Sequence, residues 1–542
     1  MKDKWRSIPF FFLLLAAAPV LAQSGDCAGL KAARLQNTVI AKTEATPVGT
    51  SASDARPGQP PAAPWNYPAY CLVQGTIDGR TGADGKPYGI QFEMRLPEGW
   101  NGKLLYQGGG GTDGVVRPAA GSSSLGAMPG LARGYAVIST DGGHQGAGDT
   151  SFGKEQQARL DYAYNWIGEA VRTAKQLVAI YYGHAPAKSY FAGCSNGGRE
   201  AMIAVERYPT EFDGAVAGDP GFRLSRAAIA QAWDTGAFNA AAPLDPSGHP
   251  SLKDAFSDAD LKLVSDAVLA ACDQLDGLKD GQINNVAACR FDPAILTCKD
   301  EKNASCLSRA QVEALHKIFA GAHDSKGNEL YAGWPYDAGI SDPGWRGWKL
   351  GSATVPARSV TLGANSLRDY FVSPFDPSFD PAKVDFDTAA EKVAATAEIN
   401  DATDTQLSTF AAKGGKLIIY EGVSDPVFSA NDIISYYQRL EADNGGEAAQ
   451  GFARLFLIPG MTHCGGGPST DEFDALTALE NWAEKGSAPE RIVAHGKAFP
   501  GRTRPLCAFP KYAAYDAGKN PEDADSFTCK LRTRNSNRAL RN

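Results

Sequence analysis

Ser195 and His463 lie in two short segments whose residue types suit nucleophilic catalysis. Ser195 is the centre of Gly193-Cys-Ser-Asn-Gly197, a G-x-S-x-G pattern that places a serine on a sharp strand-to-helix turn with its hydroxyl exposed. A histidine beside such a serine can take its proton and later give it to a leaving group. Cys194 precedes the serine and Cys464 follows the histidine. A disulfide between these cysteines would therefore hold the two reacting side chains together.

An acid that orients the histidine is expected between the two segments, because one large class of serine hydrolases has the chain order Ser, Asp or Glu, His. The apolar run 416–420 predicts a strand, and Asp425 follows it at the loop position that this acid needs. His463 likewise follows a predicted strand, 454–458. Glu421 is the competing acid, and it ranks lower because it lies too close to the end of its strand. The histidines that do not follow a late strand, and that we expect at surface or structural positions, are His144, His184, His249, His316, His323 and His495.

A tetrahedral intermediate also needs backbone N–H donors for its oxyanion. One donor would be the N–H of Asn196, directly after the serine, and the second would come from the glycine run 108–111, with Gly111 as our choice. The alternative is that these glycines form only a flexible turn. A dinucleotide site is not expected, because the G-x-G-x-x-G spacing and its following helix are absent.

The elements around these residues alternate between short apolar runs and helical patterns. Residues 166–182 carry apolar side chains at helical spacing, and 197–208 read as the helix that follows Ser195. This order predicts a parallel sheet with helices on both faces. The apolar runs that predict strands are 103–106, 135–139, 189–192, 215–218, 416–420 and 454–458.

The strand rhythm stops over residues 222–402, which are rich in Trp, Pro, Asp and Gly. We therefore predict an α/β fold: an α/β-hydrolase core formed by residues 23–221 and 403–542, with residues 222–402 inserted as a large lid domain. The lid would lie above the carboxyl ends of the strands, where such sheets bind ligands. A chain of 542 residues is long enough for two such units.

The first 22 residues resemble a signal peptide, with three basic residues before an apolar run that ends in Val20-Leu-Ala22. We expect cleavage after Ala22 and a secreted or periplasmic protein, because the apolar run is short for a membrane span. The net charge of −8 and the pI near 5.5 argue against nucleic acid or an anionic membrane as a partner. We expect a monomer without an organic cofactor.

The ten cysteines are expected to form disulfides, because export leads to an oxidising compartment. Spacing along the chain favours four local pairs and leaves Cys194 and Cys464 for each other. The C-x-x-C pattern of zinc ribbons does not occur. The four local pairs are Cys27 with Cys71, Cys272 with Cys289, Cys298 with Cys306, and Cys507 with Cys529.

The loop between Cys272 and Cys289 carries three carboxylates in close succession. These carboxylates and two backbone carbonyls could supply the hard oxygen ligands that Ca²⁺ prefers, although the spacing is not that of an EF-hand. The alternative is a solvated Asp-Gly turn. We expect any such site to be structural, because it lies far in sequence from Ser195. The candidate ligands are Asp273, Asp276 and Asp280, with the carbonyls of Leu278 and Gln282.

Three segments of the chain are similar to the tannase and feruloyl esterase family. They are residues 193–200, 454–464 and 503–507, and the similarity extends from about Cys27 to Cys529. The resemblance implies an α/β-hydrolase with a lid inserted before the triad acid. It also implies the same five disulfides and a bound calcium ion in the loop described above.

The resemblance further implies a substrate pocket. Arg358 matches a lid arginine that holds a free carboxylate of the substrate, which a guanidinium can bind through two hydrogen bonds. Trp348, Phe371 and Phe428 match residues around the ring of an aromatic acid. Without the resemblance, a surface ion pair would be the simpler interpretation of Arg358, and lid core that of the aromatic residues.

Three positions depart from the family member with the most similar pattern. Asn196 replaces an acidic residue, Leu362 replaces an aromatic residue that closes over the substrate, and Gly363 replaces a serine. The predicted triad is unaffected. We therefore expect a serine carboxylic ester hydrolase acting on esters of small aromatic acids. A terephthalate monoester is the first expectation, and a feruloyl or galloyl ester is the alternative.

Two other function classes compete with this expectation. A non-catalytic carbohydrate or phenolic binding protein could use the same scaffold, but the presence of Ser195, Asp425 and His463 together argues against it. A serine peptidase would use the same three residues, and only the family resemblance disfavours it.

Overall fold

The computed structural model describes residues 25–51, 65–122 and 127–531. The predicted signal peptide, residues 1–22, lies outside this part of the chain. No helix within the described residues is both long enough and apolar enough to cross a membrane.

A nine-stranded mixed sheet forms the centre of the described chain, with the strand order β1-β4-β5-β7-β6-β8-β9-β12-β13. All six predicted strands are present in it as β6, β7, β8, β9, β12 and β13. These six pair in parallel, as expected for an α/β-hydrolase core. The strands are β1 (Thr38–Thr46), β4 (Tyr70–Thr81), β5 (Pro87–Pro97), β6 (Lys103–Gln107), β7 (Ala136–Thr140), β8 (Lys188–Cys194), β9 (Gly214–Gly218), β12 (Lys416–Gly422) and β13 (Ala453–Ile458).

The N-terminal third of the sheet differs from the predicted parallel arrangement. β4 is antiparallel to both of its neighbours, β1 and β5, and β5 is antiparallel to β7. Side chains along β4 alternate between buried and half-buried, as expected where a sheet has one packed face and one more exposed face. Short hairpins outside the central sheet are formed by β2 (Gly49–Ser51) with β3 (Trp65–Tyr67), β10 (Ala322–His323) with β11 (Glu329–Tyr331), β14 (Arg491–His495) with β15 (Thr503–Cys507), and β16 (Lys511–Tyr515) with β17 (Phe527–Leu531).

Helices cover both faces of the central sheet. Alternate residues of β6 show this: Leu104 and Tyr106 belong to one apolar cluster with α2, α3 and α10, whereas Leu105 belongs to another with α12. The helix predicted over 166–182 is α2 with the same bounds. The α-helices are α1 (Gln156–Leu160), α2 (Trp166–Tyr182), α3 (Asn196–Arg207), α4 (Leu224–Ala241), α5 (Asp258–Cys272), α6 (Arg309–Ala320), α7 (Pro343–Lys349), α8 (Phe386–Asn400), α9 (Ser408–Ala412), α10 (Ala430–Asn444), α11 (Gly446–Gln450) and α12 (Ala475–Lys485).

The segment between β9 and β12 is mostly helical and contains α4 to α9. Part of it packs on itself, because the buried members of one apolar cluster all lie within residues 237–350. Two π-helical turns, Ser359–Ala364 and Leu367–Phe371, follow α7. α4 packs against the first of these turns, and this contact forms one wall of the site described below.

Five disulfides are present, and they are the five pairs favoured by the sequence. Four of them close segments of 8 to 44 residues. The Cys194–Cys464 bridge instead joins positions 270 residues apart. Cys194 is the last residue of β8, and Cys464 lies in the loop that follows β13.

Candidate active site

Ser195 occupies the turn between β8 and α3 with a φ of 67° and a ψ of −125°. This backbone conformation is strained for a residue with a side chain, as at a nucleophile elbow. The turn also requires glycine on both sides. A Cβ on Gly193 would lie 2.6 Å from the backbone of Gly197, and a Cβ on Gly197 would lie 2.8 Å from the carbonyl oxygen of Gly109. The two glycines therefore let the serine turn pack directly on the glycine loop.

His463 connects Ser195 to Asp425. Its Nε2 lies 2.8 Å from Ser195 Oγ, and its Nδ1 lies 2.7 Å from Asp425 Oδ2. The carboxylate fixes the tautomer in which Nδ1 carries the proton, so that Nε2 is free to accept the serine proton. The sequence-predicted Ser, His and Asp thus form one hydrogen-bonded chain.

Asp425 is held rigidly in the loop after β12. Its carboxylate is 1% exposed, and its Oδ1 accepts the backbone N–H groups of Val427 at 2.6 Å and Phe428 at 3.1 Å. Trp334 Nε1 donates to the Asp425 carbonyl oxygen at 2.9 Å. These donors leave Oδ2 for His463.

Glu421, the competing acid, is fully buried, and neither of its carboxyl oxygens has a hydrogen-bond partner within the described residues. Burial raises its pKa well above the usual value, and the nearby Asp219 and Asp425 charges act in the same direction. His463 contacts Asp425 instead. The lower rank given to Glu421 therefore agrees with the geometry.

Asp219 is a buried acid beside this chain that sequence reasoning missed. It follows β9 directly, and its two carboxylate oxygens accept the N–H groups of Gly422 at 2.6 Å and Cys464 at 2.7 Å. Side-chain atoms of Asp219, Asp425 and His463 lie within 4.8 Å of one another. Burial, followed by the Asp425 charge, raises the pKa of Asp219 to about 7. Its position after a core strand was the available sequence signal.

The Cys194–Cys464 disulfide lies directly behind Ser195 and His463, with 6.0 Å between the two Cα atoms. Cys464 itself adopts a positive φ of 61°. The bridge and Asp219 therefore hold the same short stretch of the histidine loop, one by a covalent bond and the other by a hydrogen bond to the Cys464 N–H.

Gly111 and Asn196 border the same cavity as Ser195. Asn196 is the first residue of α3, where the N–H groups have no acceptor within the helix. Gly111 has a φ of 63°, a conformation that glycine adopts readily. Both residues therefore line the cavity beside Ser195, and their role as oxyanion donors stays a prediction.

The glycine loop is anchored from behind by two buried acids that sequence reasoning did not identify. Gly109 donates its N–H to Glu200 at 2.9 Å, and Gly110 donates its N–H to Asp113 at 3.1 Å. The side-chain amide of Asn196 donates to Asp113 at 2.7 Å and to Glu200 at 2.8 Å. The side chain of Asn196 thus joins the two acids, in addition to the expected role of its backbone N–H.

Burial raises the pKa values of both Asp113 and Glu200. For Glu200, the neighbouring Asp113 charge raises the pKa further. Two adjacent carboxyls in a dry environment cannot easily both ionise. Burial and mutual repulsion therefore favour a proton on the pair, whereas the buried Arg199 charge acts in the opposite direction on both acids.

His144 supports the same loop from another side. Its Nε2 donates to the carbonyl oxygen of Thr112 at 2.7 Å, and its ring stacks on Phe152 with 3.7 Å between centroids. Burial lowers the pKa of His144, which favours the neutral ring. Its structural position agrees with the sequence interpretation, although it lies next to the site.

The cavity beside Ser195 is lined mainly by apolar and aromatic side chains. Trp348 and Phe428 also meet the His463 ring edge-on, with centroid distances of 5.3 and 5.4 Å. Arg358 is not among the residues that line this cavity, but its guanidinium carbon lies 5.5 Å from the centre of the ring of Trp348, which does line it. The sequence-predicted pocket residues that line the cavity are Trp348, Leu362, Gly363, Phe371 and Phe428.

The proposed calcium loop brings buried carboxylates together at the end of α5. Asp273 and Asp276 are each 4% exposed. Burial raises the pKa of both, that of Asp276 to about 6. Asp273 accepts the N–H of Gly281 at 2.9 Å, and Asp276 accepts that of Leu278 at 3.0 Å. These buried acids would gain from a nearby cation.

Asp280 completes the acidic set and also pairs with Arg504. The carbonyl oxygen of the buried Gln282 side chain has no partner within the described residues. Carboxylates and carbonyls are donors of the type that fits Ca²⁺. The oxygens of Asp273, Asp276 and Asp280 do not all lie within 4.8 Å of one another, so an ion touching all three would have to draw the loop closer.

Comparisons with known proteins agree with this geometry. The sequence profile described as "Tannase and feruloyl esterase" matches residues 71–530. Mono(2-hydroxyethyl) terephthalate hydrolase from Piscinibacter sakaiensis is 41% identical, and the match covers 94% of this chain and 92% of that protein. A probable feruloyl esterase B-2 from Aspergillus terreus is 28% identical over 81% of this chain and 83% of its own length.

Among solved structures, feruloyl esterase B from Aspergillus oryzae superposes with a TM-score of 0.78 at 25% identity, covering 93% of this chain and 99% of that one. The match therefore includes both the central sheet and the segment inserted between β9 and β12. The chain belongs to the tannase and feruloyl esterase family, and it is a carboxylic ester hydrolase with an α/β-hydrolase fold.

Proposed function

We propose that this protein is a secreted serine esterase that hydrolyses esters of small aromatic acids. The observation that carries the proposal is the hydrogen-bonded chain from Asp425 through His463 to Ser195, at a cavity lined by aromatic side chains. Aromatic faces favour a planar acyl group at little cost in conformational entropy.

In the proposed reaction, Ser195 Oγ attacks the ester carbonyl carbon while His463 Nε2 takes its proton. Asp425 stabilises the imidazolium that forms. The carbonyl oxygen becomes an oxyanion that accepts hydrogen bonds from the N–H groups of Asn196 and Gly111. His463 then gives the proton to the leaving alcohol, and an acyl-serine remains. Water attacks this ester by the same steps and releases the aromatic acid.

The first substrate that we propose is mono(2-hydroxyethyl) terephthalate, which would yield terephthalate and ethylene glycol. The relative at 41% identity carries this activity in its name. Arg358, stacked on Trp348, would bind the free carboxylate of the monoester through a guanidinium fork.

A hydroxycinnamoyl or galloyl ester is the second candidate. Several relatives at about 28% identity are named as probable feruloyl esterases. The differences at Leu362 and Gly363 lie in the cavity wall, so they affect the part of the site that selects the acyl group.

We also propose that Asp273, Asp276 and Asp280, with the carbonyls of Leu278 and Gln282, hold a structural Ca²⁺. The ion would neutralise carboxylates that are buried in its absence, and it would stabilise the loop closed by the Cys272–Cys289 disulfide. It has no part in the proposed reaction.

Export to the periplasm or the medium is supported by the five disulfides, which persist in oxidising compartments. The proposal treats the protein as a monomer, because the side chains that it assigns to the reaction all belong to one chain.

Two measurements test the proposal. Labelling by a fluorophosphonate should occur in the wild type and be lost in Ser195→Ala, whereas a non-catalytic binding protein would not be labelled. kcat/KM should then be compared for mono(2-hydroxyethyl) terephthalate, methyl ferulate and methyl gallate. A peptide amide included as a fourth substrate tests for peptidase activity.

Arg358→Ala distinguishes the two substrate classes. If the terephthalate monoester is preferred, this variant should lose most of that preference, while Arg172→Ala on the exposed face of α2 should not change it. If ferulate or gallate is preferred and Arg358→Ala has little effect, the protein is an esterase of phenolic acids.

A further inference from the structure

Gln231 is a buried amide in the wall of the Ser195 cavity. It lies on α4, is 3% exposed, and its Nε2 donates to the carbonyl oxygen of Val427 at 3.1 Å. A carbonyl oxygen only accepts hydrogen bonds, so the nitrogen of the amide must face Val427. This fixes Oε1 at the other end of the amide, where it is buried and has no hydrogen-bond partner within the described residues.

The position of this amide is fixed on two sides. Val427 follows Asp425 by two residues, and its N–H donates to Asp425 at 2.6 Å. On the opposite side, a Cβ on Gly363 would lie 2.8 Å from Gln231 Cβ and 2.9 Å from its Cγ. Glycine at position 363 therefore leaves the room that the Gln231 side chain occupies.

An unpaired buried acceptor is unfavourable, and a donor on a ligand would recover the lost hydrogen bond. Among the other hydroxyl groups in the cavity wall, Ser366 Oγ already donates to the Leu362 carbonyl at 2.6 Å. A carboxylate would not satisfy Gln231 Oε1, because ionised carboxylates only accept hydrogen bonds. A neutral hydroxyl would.

We propose that Gln231 Oε1 accepts a hydrogen bond from a hydroxyl group of the bound ester and thereby selects hydroxylated substrates. The inference rests on the proposed function and names the chemistry that this cavity recognises. The hydroxyl has two possible sources: a phenolic group on the acyl ring, or the free hydroxyl at the end of the alcohol.

Two pairs of esters distinguish these sources, because the members of each pair differ only at the hydroxyl. Methyl ferulate is compared with methyl 3,4-dimethoxycinnamate, and mono(2-hydroxyethyl) terephthalate with monoethyl terephthalate. The readout is the ratio of kcat/KM within each pair, for the wild type, Gln231→Leu and Thr112→Val. Thr112 is a matched control, because it lines the same cavity and its Oγ1 is also buried. This oxygen has no hydrogen-bond partner within the described residues.

The wild type should prefer the hydroxylated member of at least one pair by about tenfold, the usual size of a lost hydrogen bond that leaves a buried group unpaired. Gln231→Leu should reduce that ratio to about one, and Thr112→Val should preserve it. Gly363→Ala should lower the same ratio by displacing the amide, which keeps the test available if Gln231→Leu does not fold.

Equal rates within both pairs in the wild type would overturn the inference, as would a preference that survives in Gln231→Leu. Loss of the preference in Thr112→Val but not in Gln231→Leu would show that Thr112 is the acceptor. That result would also overturn the inference. If none of the four esters is hydrolysed, the proposed function fails instead. The affinities of ferulic and 3,4-dimethoxycinnamic acid, measured by calorimetry with the wild type and Gln231→Leu, then still decide the role of Gln231.

Discussion

Two groups of buried acids support the site from two sides, and they differ in how their carboxyl groups are hydrogen-bonded. The base-side support consists of Asp219, Asp425 and the Cys194–Cys464 disulfide. Its carboxylates each accept two backbone N–H groups, and Asp425 also accepts a hydrogen bond from His463 Nδ1. These bonds hold both acids in place beside the ring that becomes positive in the proposed reaction.

The oxyanion-side support consists of Asp113, Asn196 and Glu200. Here two carboxyls share one amide donor, and burial raises both pKa values, which favours a proton on the pair. A second negative charge at this position would repel the oxyanion that forms in front of the glycine loop. The comparison teaches that the acids beside the histidine are bonded by separate backbone donors, whereas the acids behind the glycine loop share one donor, which favours a proton on the second pair.

The largest expected effect comes from the base side. Asp425→Asn should lower kcat by about 10⁴-fold, because the amide can stabilise the wrong histidine tautomer and carries no charge. Glu421→Gln is the matched control and should leave kcat within about threefold, because a neutral amide replaces an acid whose burial already favours its neutral form. A larger loss in the Glu421 variant than in the Asp425 variant would show that Glu421, and not Asp425, is the triad acid.

Removing the covalent part of the same support should have the next largest effect. The double variant Cys194→Ala, Cys464→Ala should lose most of kcat, about 10- to 100-fold, because misplacing the base by even an ångström is enough for such a loss. The chain-entropy model also predicts a loss of about 5 kcal/mol in unfolding free energy for so long a loop. Cys298→Ala, Cys306→Ala removes a bridge across 8 residues and should leave kcat unchanged. Near-normal turnover in the first variant would show that Asp219 alone holds the histidine loop.

The oxyanion side can be tested through the pH dependence of stability. Glu200 has a folded pKa raised above its unfolded value, so its contribution to stability is fully present below the unfolded pKa and is lost as the pH rises through the folded pKa. Glu200→Gln should therefore flatten the decline of unfolding free energy above about pH 4.5, by up to 1.4 kcal/mol per pH unit. Urea unfolding at several pH values measures this slope.

The exposed residue Glu447 provides a control, because Glu447→Gln should leave the slope unchanged. An unaltered slope in Glu200→Gln would mean that Glu200 does not hold this proton in the folded protein, which would contradict the expected rise in its pKa.

Sequence reasoning identified the base side more completely than the oxyanion side, for a physical reason. Ser195, Asp425 and His463 each follow a predicted strand, and parallel strands end at the same edge of a sheet, so strand order alone brings them together. The pairing of Asp113 with Glu200 depends instead on how a loop packs against a helix. Gln231 was missed for a similar reason. The sequence shows a glutamine on a mostly apolar helix, but it does not show which atoms of its amide lack hydrogen-bond partners.

The antiparallel strands β1, β4 and β5 were also missed as a group. The alternating burial of β4 is a weaker sequence signal than the continuous burial of β7 and β9. The break in strand rhythm over 222–402 falls between β9 and β12, but it does not indicate which residues of that segment line the cavity.

Calcium is expected to have the smallest effect on kcat, and it provides a check that both supports act locally. Adding Ca²⁺ to protein treated with a chelator should raise the unfolding free energy by about 2.7 kcal/mol at one hundred times the dissociation constant. The increase should be lost in Asp276→Asn and kept in Asp432→Asn, a buried acid that pairs with Arg223 outside the loop. Because the loop contributes no residue to either support, kcat for a fixed ester should be the same with and without the ion. A change in kcat that follows calcium occupancy would connect the loop to the histidine side, and the two supports could then no longer be treated as independent of the rest of the fold.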